Sequence, residues 1–387
     1  MQYRRLGKTE EHVSILGFGC MRFPIIDNQT HNIDRPQALK MMRFAIDQGV
    51  NYIDTAYPYH GYGFDRGGES EPMVAEALRD GYRNKVKIAT KLPSWLISCH
   101  DDFDKYLNEQ LKRLEAEQID FYLVHALNKA FWANMKKHDL FSFLDRALKD
   151  GRIKHAGFSF HDDYPTFVEI VDAYDWSFCQ IQYNYIDTDY QAGQKGLEYA
   201  AARDLGIVIM EPLRGGALTR NLPNEVLQQF ESFAESRTPA EWALRWLWNH
   251  QQIGVVLSGM SDLQQTRENV ASANSLKPEP MSATELRIIE NVQKIYREKI
   301  KVHCTACRYC MPCPVGVDIP MNFQMFNSFY LFDKAAQDSV RFQYGMLVPE
   351  PYRAGRCVKC GKCVSHCPQN IGIPDELEKV HQLFSGD

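Results

Sequence analysis

The amino-acid sequence predicts an α/β chain: a closed parallel (β/α)8 (TIM) barrel followed by a smaller, cysteine-bearing domain. Eight short β-branched or apolar runs alternate with segments whose apolar residues recur at helical spacing. The eight units span roughly 270 residues, close to the ~250 usual for such a barrel. A polar, proline-containing stretch, SLKPEPMSATE at 275–285, then separates the barrel from two dense cysteine runs. Residues 1–285 are therefore read as the barrel and residues 286–387 as the second domain.

In chain order the strands are SILGFG (14–19), NYIDT (51–55), KVKIAT (85–90), IDFYLVH (119–125), IKHAGFS (153–159), FCQIQYN (178–184), GIVIME (206–211) and GVVLSG (254–259). The intervening helical patterns include RPQALKMMRFAIDQG, SEPMVAEALRDG, DDFDKYLNEQLKRLE and LFSFLDRALKDG. Several end in glycine, the usual helix stop. WALRWLWNH (242–250) places aromatic residues at helical spacing and reads as core. An open, doubly wound sheet is the alternative. No glycine-rich dinucleotide fingerprint follows the first strand, which counts against it.

Composition narrows the function. With 387 residues, 44% of them hydrophobic, the chain can build one large domain and a smaller one. A net charge of -5 and no basic block argue against nucleic acid or an anionic membrane surface as partner. The opening MQYRRLGKTE does not resemble a secretory signal, and no apolar run approaches the ~18 residues of a membrane span, so a cytoplasmic location is expected. Eleven cysteines in a reducing compartment, eight of them in the two runs, favour metal binding over disulfides. The other three, Cys20, Cys99 and Cys179, read as small buried hydrophobes.

In such a barrel, polar residues at the C-terminal strand ends carry chemistry. Asp54 closes the second strand, Lys91 the third and His125 the fourth, and Tyr59 follows Asp54 in its loop. A phenol of pKa ~10 is a reluctant proton donor at neutral pH. A nearby Lys91 ammonium would lower that value, Asp54 would fix the lysine, and His125 would orient a substrate carbonyl. The structural alternative is a buried ion pair that only holds the barrel together.

NYIDTAYPYHG, IATKLP and LVHAL, with the opening RRLGKTEEHVSILGFGCMRF, resemble the aldo-keto reductases over about residues 1–275. The tail resembles the subgroup of that family carrying a ferredoxin-like 4Fe-4S extension. The resemblance implies a small carbonyl or alcohol substrate and a nicotinamide cofactor, NAD or NADP, across the barrel mouth. Ser159 and Gln180 match positions that bind the carboxamide, and Glu268 and Asn269 match an adenine-binding pair. Gly19, Pro212, Leu213, Ser258, Gly259 and Gln265 complete the expected contacts with Gly215 and Gly216, whose loop can offer N–H groups to a pyrophosphate. The chain departs from the family at three places. Phe160 replaces an asparagine, Met210 replaces a stacking aromatic, and Gly259, Met260 and Gln265 replace the basic grip on a 2'-phosphate. A preference for NADP is therefore not expected.

The first cysteine run, CTACRYCMPCP, places Cys304, Cys307, Cys310 and Cys313 before a proline; the second, CVKCGKCVSHCP, places Cys357, Cys360, Cys363 and Cys367 likewise. In two-cluster ferredoxins three closely spaced thiolates hold one 4Fe-4S cluster and the fourth reaches the other. By that logic Cys304, Cys307, Cys310 and Cys367 hold one cluster, and Cys357, Cys360, Cys363 and Cys313 the second. The first run has only two residues before its last cysteine, against three in the second. Zinc and a single cluster are the alternatives. Zinc sites use separated CxxC or CxxH pairs, which unbroken runs do not match.

Hydride transfer moves two electrons together, whereas each cluster passes one. Three function classes follow. One is a nicotinamide-linked oxidoreductase with the clusters as accessory or regulator. Another is a ferredoxin-dependent reductase whose barrel only binds substrate, and the last is a non-catalytic redox sensor.

Overall fold

The computed structural model describes residues 1–27, 29–62, 65–216, 218–220, 222–276, 281–304, 310–331, 334–367 and 371–385. An antiparallel hairpin, β1 (Tyr3–Arg5) and β2 (His12–Ser14), comes first. Eight parallel strands follow: β3 (Leu16–Gly19), β4 (Tyr52–Asp54), β5 (Lys87–Leu92), β6 (Ile119–Leu127), β7 (Ile153–Phe160), β8 (Phe178–Gln182), β9 (Gly206–Met210) and β10 (Val255–Ser258). Each predicted run overlaps one of them, and β5, β6 and β7 continue one or two residues past the predicted ends. β10 returns to β3 through Val256–Leu16, Leu257–Gly17 and Ser258–Phe18, and this seam closes the barrel. An open doubly wound sheet is thereby excluded, because it leaves its edge strands unpaired.

The four helical patterns are helices Arg35–Asp47, Ser70–Ala77, Asp101–Arg113 and Leu140–Lys149. Gly49, Gly81 and Gly151 beyond three of them have φ of 98°, 85° and 82°, the left-handed geometry that glycine adopts at a helix stop. Trp242, Trp246 and Trp248 are buried, as core residues should be. Cys20 and Cys179 are buried too, but Cys99 is exposed. Its N–H donates to Asp102 Oδ2 at 3.2 Å, so the segment serves the start of helix Asp101–Arg113 and not the core. Among the described residues no helix is long and apolar enough to cross a membrane.

The hairpin was not expected, since strands of three residues are too short to show alternation. Its Leu6 and Val13 are fully buried and join Tyr52, Phe121, Phe178 and Val255 in the barrel interior. Between its strands, Glu11 forms ion pairs with Lys87 of β5 and Lys154 of β7, with His155 Nε2 at 3.8 Å. Burial works against the Glu11 charge, but the two lysines outweigh it and bring its pKa down to about 2. A carboxylate held below its unfolded value stabilises the fold above pH ~4.5, and that contribution is lost as pH falls towards 2. Urea denaturation of Glu11→Gln against the parent should show a deficit at pH 6 that shrinks by pH 3. A deficit independent of pH would mean that the ion pairs are not its source.

The chain divides into two compact units, Met1–Gly215 with Ala240–Met281, and Gly216–Pro239 with Ser282–Asp387. The second contains helices Ala283–Lys299, Ile319–Leu331, Lys334–Leu347 and Ile373–Phe384. Its core includes Phe323, Phe326, Val348, Leu377 and Val380. A buried amide, Asn322, ties the segment entering the second cysteine run to this core. It donates to Tyr352 O at 2.8 Å, and its Oδ1 accepts from Ala354 N–H at 2.9 Å and Tyr344 OH at 2.6 Å.

Candidate active site

Asp54 ends β4, Lys91 is next to last in β5, and His125 lies near the end of β6, so three neighbouring strands deliver them to one end of the barrel. Tyr59 sits in the loop after β4. That loop is pinned by Gly68 N–H to Tyr57 O at 2.8 Å and by Ser70 N–H to Tyr59 O at 3.2 Å. A side chain at Gly68 would come within 2.1 Å of Tyr59 O, so glycine is required for the close approach.

Lys91 Nζ donates to Asp54 Oδ1 at 2.7 Å and Thr55 O at 2.8 Å, and it stands 3.3 Å from Tyr59 OH. The Lys91 and Asp54 side chains are only 1% and 5% exposed. Burial opposes the Lys91 charge, but Asp54 and Tyr59 outweigh it and raise its pKa. Burial also raises the Asp54 carboxyl, with Lys91 opposing. It raises the Tyr59 phenol as well, and Lys91 offsets this only in part. The expected lowering of the phenol pKa is thus corrected: lost hydration of the phenolate exceeds what one shared cation returns. Burial, reinforced by Lys91 and His161, holds His125 well below its ordinary value, so its ring is neutral.

His161, just past β7, was missed from sequence. Partly buried and bonded to Gln191 at 3.2 Å, it has a pKa that lost hydration lowers to about 4. Its position directly after Ser159 and Phe160 at a strand end was the available signal.

The other mouth residues fall into two groups. Ser159 Oγ accepts from Ala126 N–H at 2.7 Å, and Gln180 Nε2 lies 3.5 Å from Met210 Sδ on adjacent strands. At the seam, a Cβ on Gly19 would stand 3.2 Å from Ser258 O, and Asn269 Nδ2 donates to Ser258 Oγ at 3.0 Å. The loop after β9 runs through buried Pro212 and partly buried Leu213, with left-handed backbone at Arg214, Gly215 and Gly216 (φ 51°, 65° and 93°). Gly216 belongs to the second compact unit. Met260 is buried, Gln265 bonds Asp262 and Ser261 at its helix start, and Glu268 accepts from Gln264. Among the described residues, buried polar atoms without partners in this region include Asp54 Oδ2, His125 Nδ1, Gln180 Oε1 and Gln191 Oε1.

In the second unit Cys304, Cys310, Cys313, Cys357, Cys363 and Cys367 are partly buried and pack against the core, while Cys360 is exposed. Cys307 and Pro368 lie outside the described residues. Burial raises the Cys363 thiol, and Cys357, Cys313 and Cys360 add to it, so those three lie within electrostatic reach of Cys363. Among the described residues no three His, Cys, Asp or Glu side chains gather around one metal ion. A 4Fe-4S cluster is less demanding, because its four thiolates bind a cluster and not a single ion.

Residues 15–309 match the model of the Aldo/keto reductase family, and residues 303–371 match a 4Fe-4S dicluster domain. An uncharacterised Bacillus subtilis oxidoreductase, YqkF, is 24% identical over 329 residues, spanning 77% of this chain and all of its own. The holo form of aldo-keto reductase AKR11C1 from Bacillus halodurans has a TM-score of 0.60 at 24% identity, covering 76% of this chain and 96% of its own. An aldo-keto reductase from Klebsiella pneumoniae in complex with NADPH has a TM-score of 0.60 at 21% identity, covering 76% and 95%. At these identities the solved structures establish a shared fold. The family match spans more than half of the chain, and the chain belongs to the aldo/keto reductase family, as an oxidoreductase with a 4Fe-4S dicluster domain at its C-terminal end.

Proposed function

We propose that the barrel reduces a carbonyl group, or oxidises the corresponding alcohol, with a nicotinamide cofactor and Tyr59 as general acid/base. Two 4Fe-4S clusters in the tail are coupled to this reaction or regulate it. The observation that carries the reading is a fully buried Lys91 in contact with both Asp54 and Tyr59. Residues 1–285 serve the hydride chemistry and residues 286–387 the clusters, and the thiolates point to a reducing cytoplasm.

A nicotinamide, when bound, supplies or accepts the hydride. Tyr59, kept neutral by burial, gives its proton to the developing alkoxide, and Lys91 stabilises the phenolate that remains. Asp54 holds Lys91 charged and in place. The neutral His125 ring donates a hydrogen bond that orients the carbonyl. The mouth also suits a carboxamide. Ser159 Oγ already accepts one bond and has its own O–H to give, and the unpartnered Gln180 Oε1 can accept from an amide.

In the tail, Cys304, Cys307, Cys310 and Cys367 would hold one cluster. Cys357, Cys360, Cys363 and Cys313 would hold the other, an assignment supported by the shared electrostatic environment of Cys363. Protein prepared without oxygen should contain about eight iron and eight sulfide per chain, two clusters' worth. Cys363→Ser should lower that content, because a hydroxyl is a harder and less readily ionised ligand than a thiol. About four of each in the parent would leave one cluster, and zinc without sulfide would end the iron-sulfur reading.

The dicluster match favours a second reading, in which a one-electron donor such as a ferredoxin feeds the clusters and the barrel binds substrate without hydride chemistry. Turnover with reduced ferredoxin and none with NADH or NADPH would select it.

A further inference from the structure

We propose that Glu71, a carboxylate outside the mouth itself, is the positioning residue that sets the contact between Tyr59 and Lys91, a role that rests on the proton-donor reading of Tyr59 above. Successive side chains of a strand point to opposite faces, so where Lys91 of β5 enters the barrel, Thr90 faces the helices around it. There Thr90 Oγ1 donates to Glu71 Oε1 at 2.7 Å. Gln110, from helix Asp101–Arg113, donates through Nε2 to the same oxygen at 2.8 Å, and Arg113 Nε donates to Glu71 Oε2 at 2.8 Å. Glu71, Thr90 and Gln110 are fully buried, and the Arg113 side chain is 19% exposed. Burial works against the Glu71 charge, with Arg113 first among the groups that oppose it. The three bonds all run towards the carboxyl oxygens, the setting of an ionised group.

Gln110 and Arg113 each reach one side of the reacting pair. Gln110 Nε2 also donates to Lys91 O at 3.0 Å, and Tyr122 OH fixes the Gln110 carbonyl at 2.8 Å, so the amide pins the Lys91 peptide. Arg113 Nη2 donates to Gly68 O. At Gly68 the return arm of the loop after β4 meets the arm bearing Tyr59, through its N–H to Tyr57 O and its close approach to Tyr59 O. Ser70, which precedes Glu71 in its helix, adds the N–H bond to Tyr59 O, and its hydroxyl lies 2.8 Å from Thr55 Oγ1. One buried carboxylate thus ties the peptide of Lys91 to the loop that carries Tyr59, and the 3.3 Å between Nζ and the phenol depends on both attachments. Among the described residues Glu71 bonds neither reacting group, so it acts through their placement.

The test is steady-state reduction of benzaldehyde by the full chain with NADH and with NADPH, comparing the parent with Glu71→Gln and Arg113→Lys, each below its melting temperature. Lysine keeps a positive charge beside Glu71 but lacks the fork that spans Glu71 and Gly68. In both variants kcat should fall by about ten-fold or more, the scale of a small misplacement of reacting groups, while KM and nicotinamide affinity stay as in the parent. The alkaline limb of the pH profile should move to higher pH in both, because a phenol drawn away from Lys91 loses cationic support for its phenolate. Lost stability with kcat and the limb unchanged would leave Glu71 a structural residue and overturn the proposal. A limb moved to lower pH in Glu71→Gln would mean that the carboxylate acts through its charge, which overturns it equally. Arg113→Lys decides the matter alone if Glu71→Gln fails to fold. A parent without nicotinamide-linked turnover, or one indifferent to Tyr59→Phe, would instead refute the reading on which the role rests.

Discussion

Replacing Tyr59 by phenylalanine is expected to lower carbonyl reduction by about 10²-fold or more, the scale of a lost general acid. The ring keeps its edge-on packing against His125, with centroids 6.1 Å apart, and only the hydroxyl facing Lys91 at 3.3 Å is removed. Iron content and nicotinamide binding should therefore stay as they are. The pH profile supplies a second readout. Because burial raises the phenol above its ordinary value, reduction by the parent should hold through neutral pH and fall only on the alkaline side. Full activity in Tyr59→Phe would remove Tyr59 from the chemistry.

Replacing Lys91 by methionine is expected to destabilise the fold by about 3–5 kcal/mol, because it strands the buried Asp54 carboxylate without its cation. Urea denaturation reads this directly. The deficit should shrink as pH falls and Asp54 takes up a proton, since burial already favours its neutral form. Adding Asp54→Asn to the same chain removes the uncompensated charge and should recover part of the loss. A Lys91→Met protein as stable as the parent would mean that Asp54 is not charged in the native mouth.

The barrel was legible because parallel strands, covered on both faces, read as short continuous apolar runs. Asp54, Lys91 and His125 stood out as polar residues interrupting such runs at matching ends. Three-residue strands carry no period, so the hairpin that buries Leu6 and Val13 left no trace. The direction of the Tyr59 shift depended on burial, which the residue order does not state. Cys99 was misread for the same reason, since a thiol in a turn and a thiol in a core look alike in sequence.

The most direct test of the account is the route by which hydrogen reaches the substrate. An aryl aldehyde such as benzaldehyde is reduced without oxygen by the intact, iron-loaded chain, using NADH that carries deuterium at both C4 positions. Mass spectrometry of the alcohol then reports where the label went. Hydride transfer in the barrel predicts one deuterium on the carbinol carbon. An alcohol formed without the label would contradict the account, because carbon-bound hydrogen would then come from solvent after single electrons had been delivered.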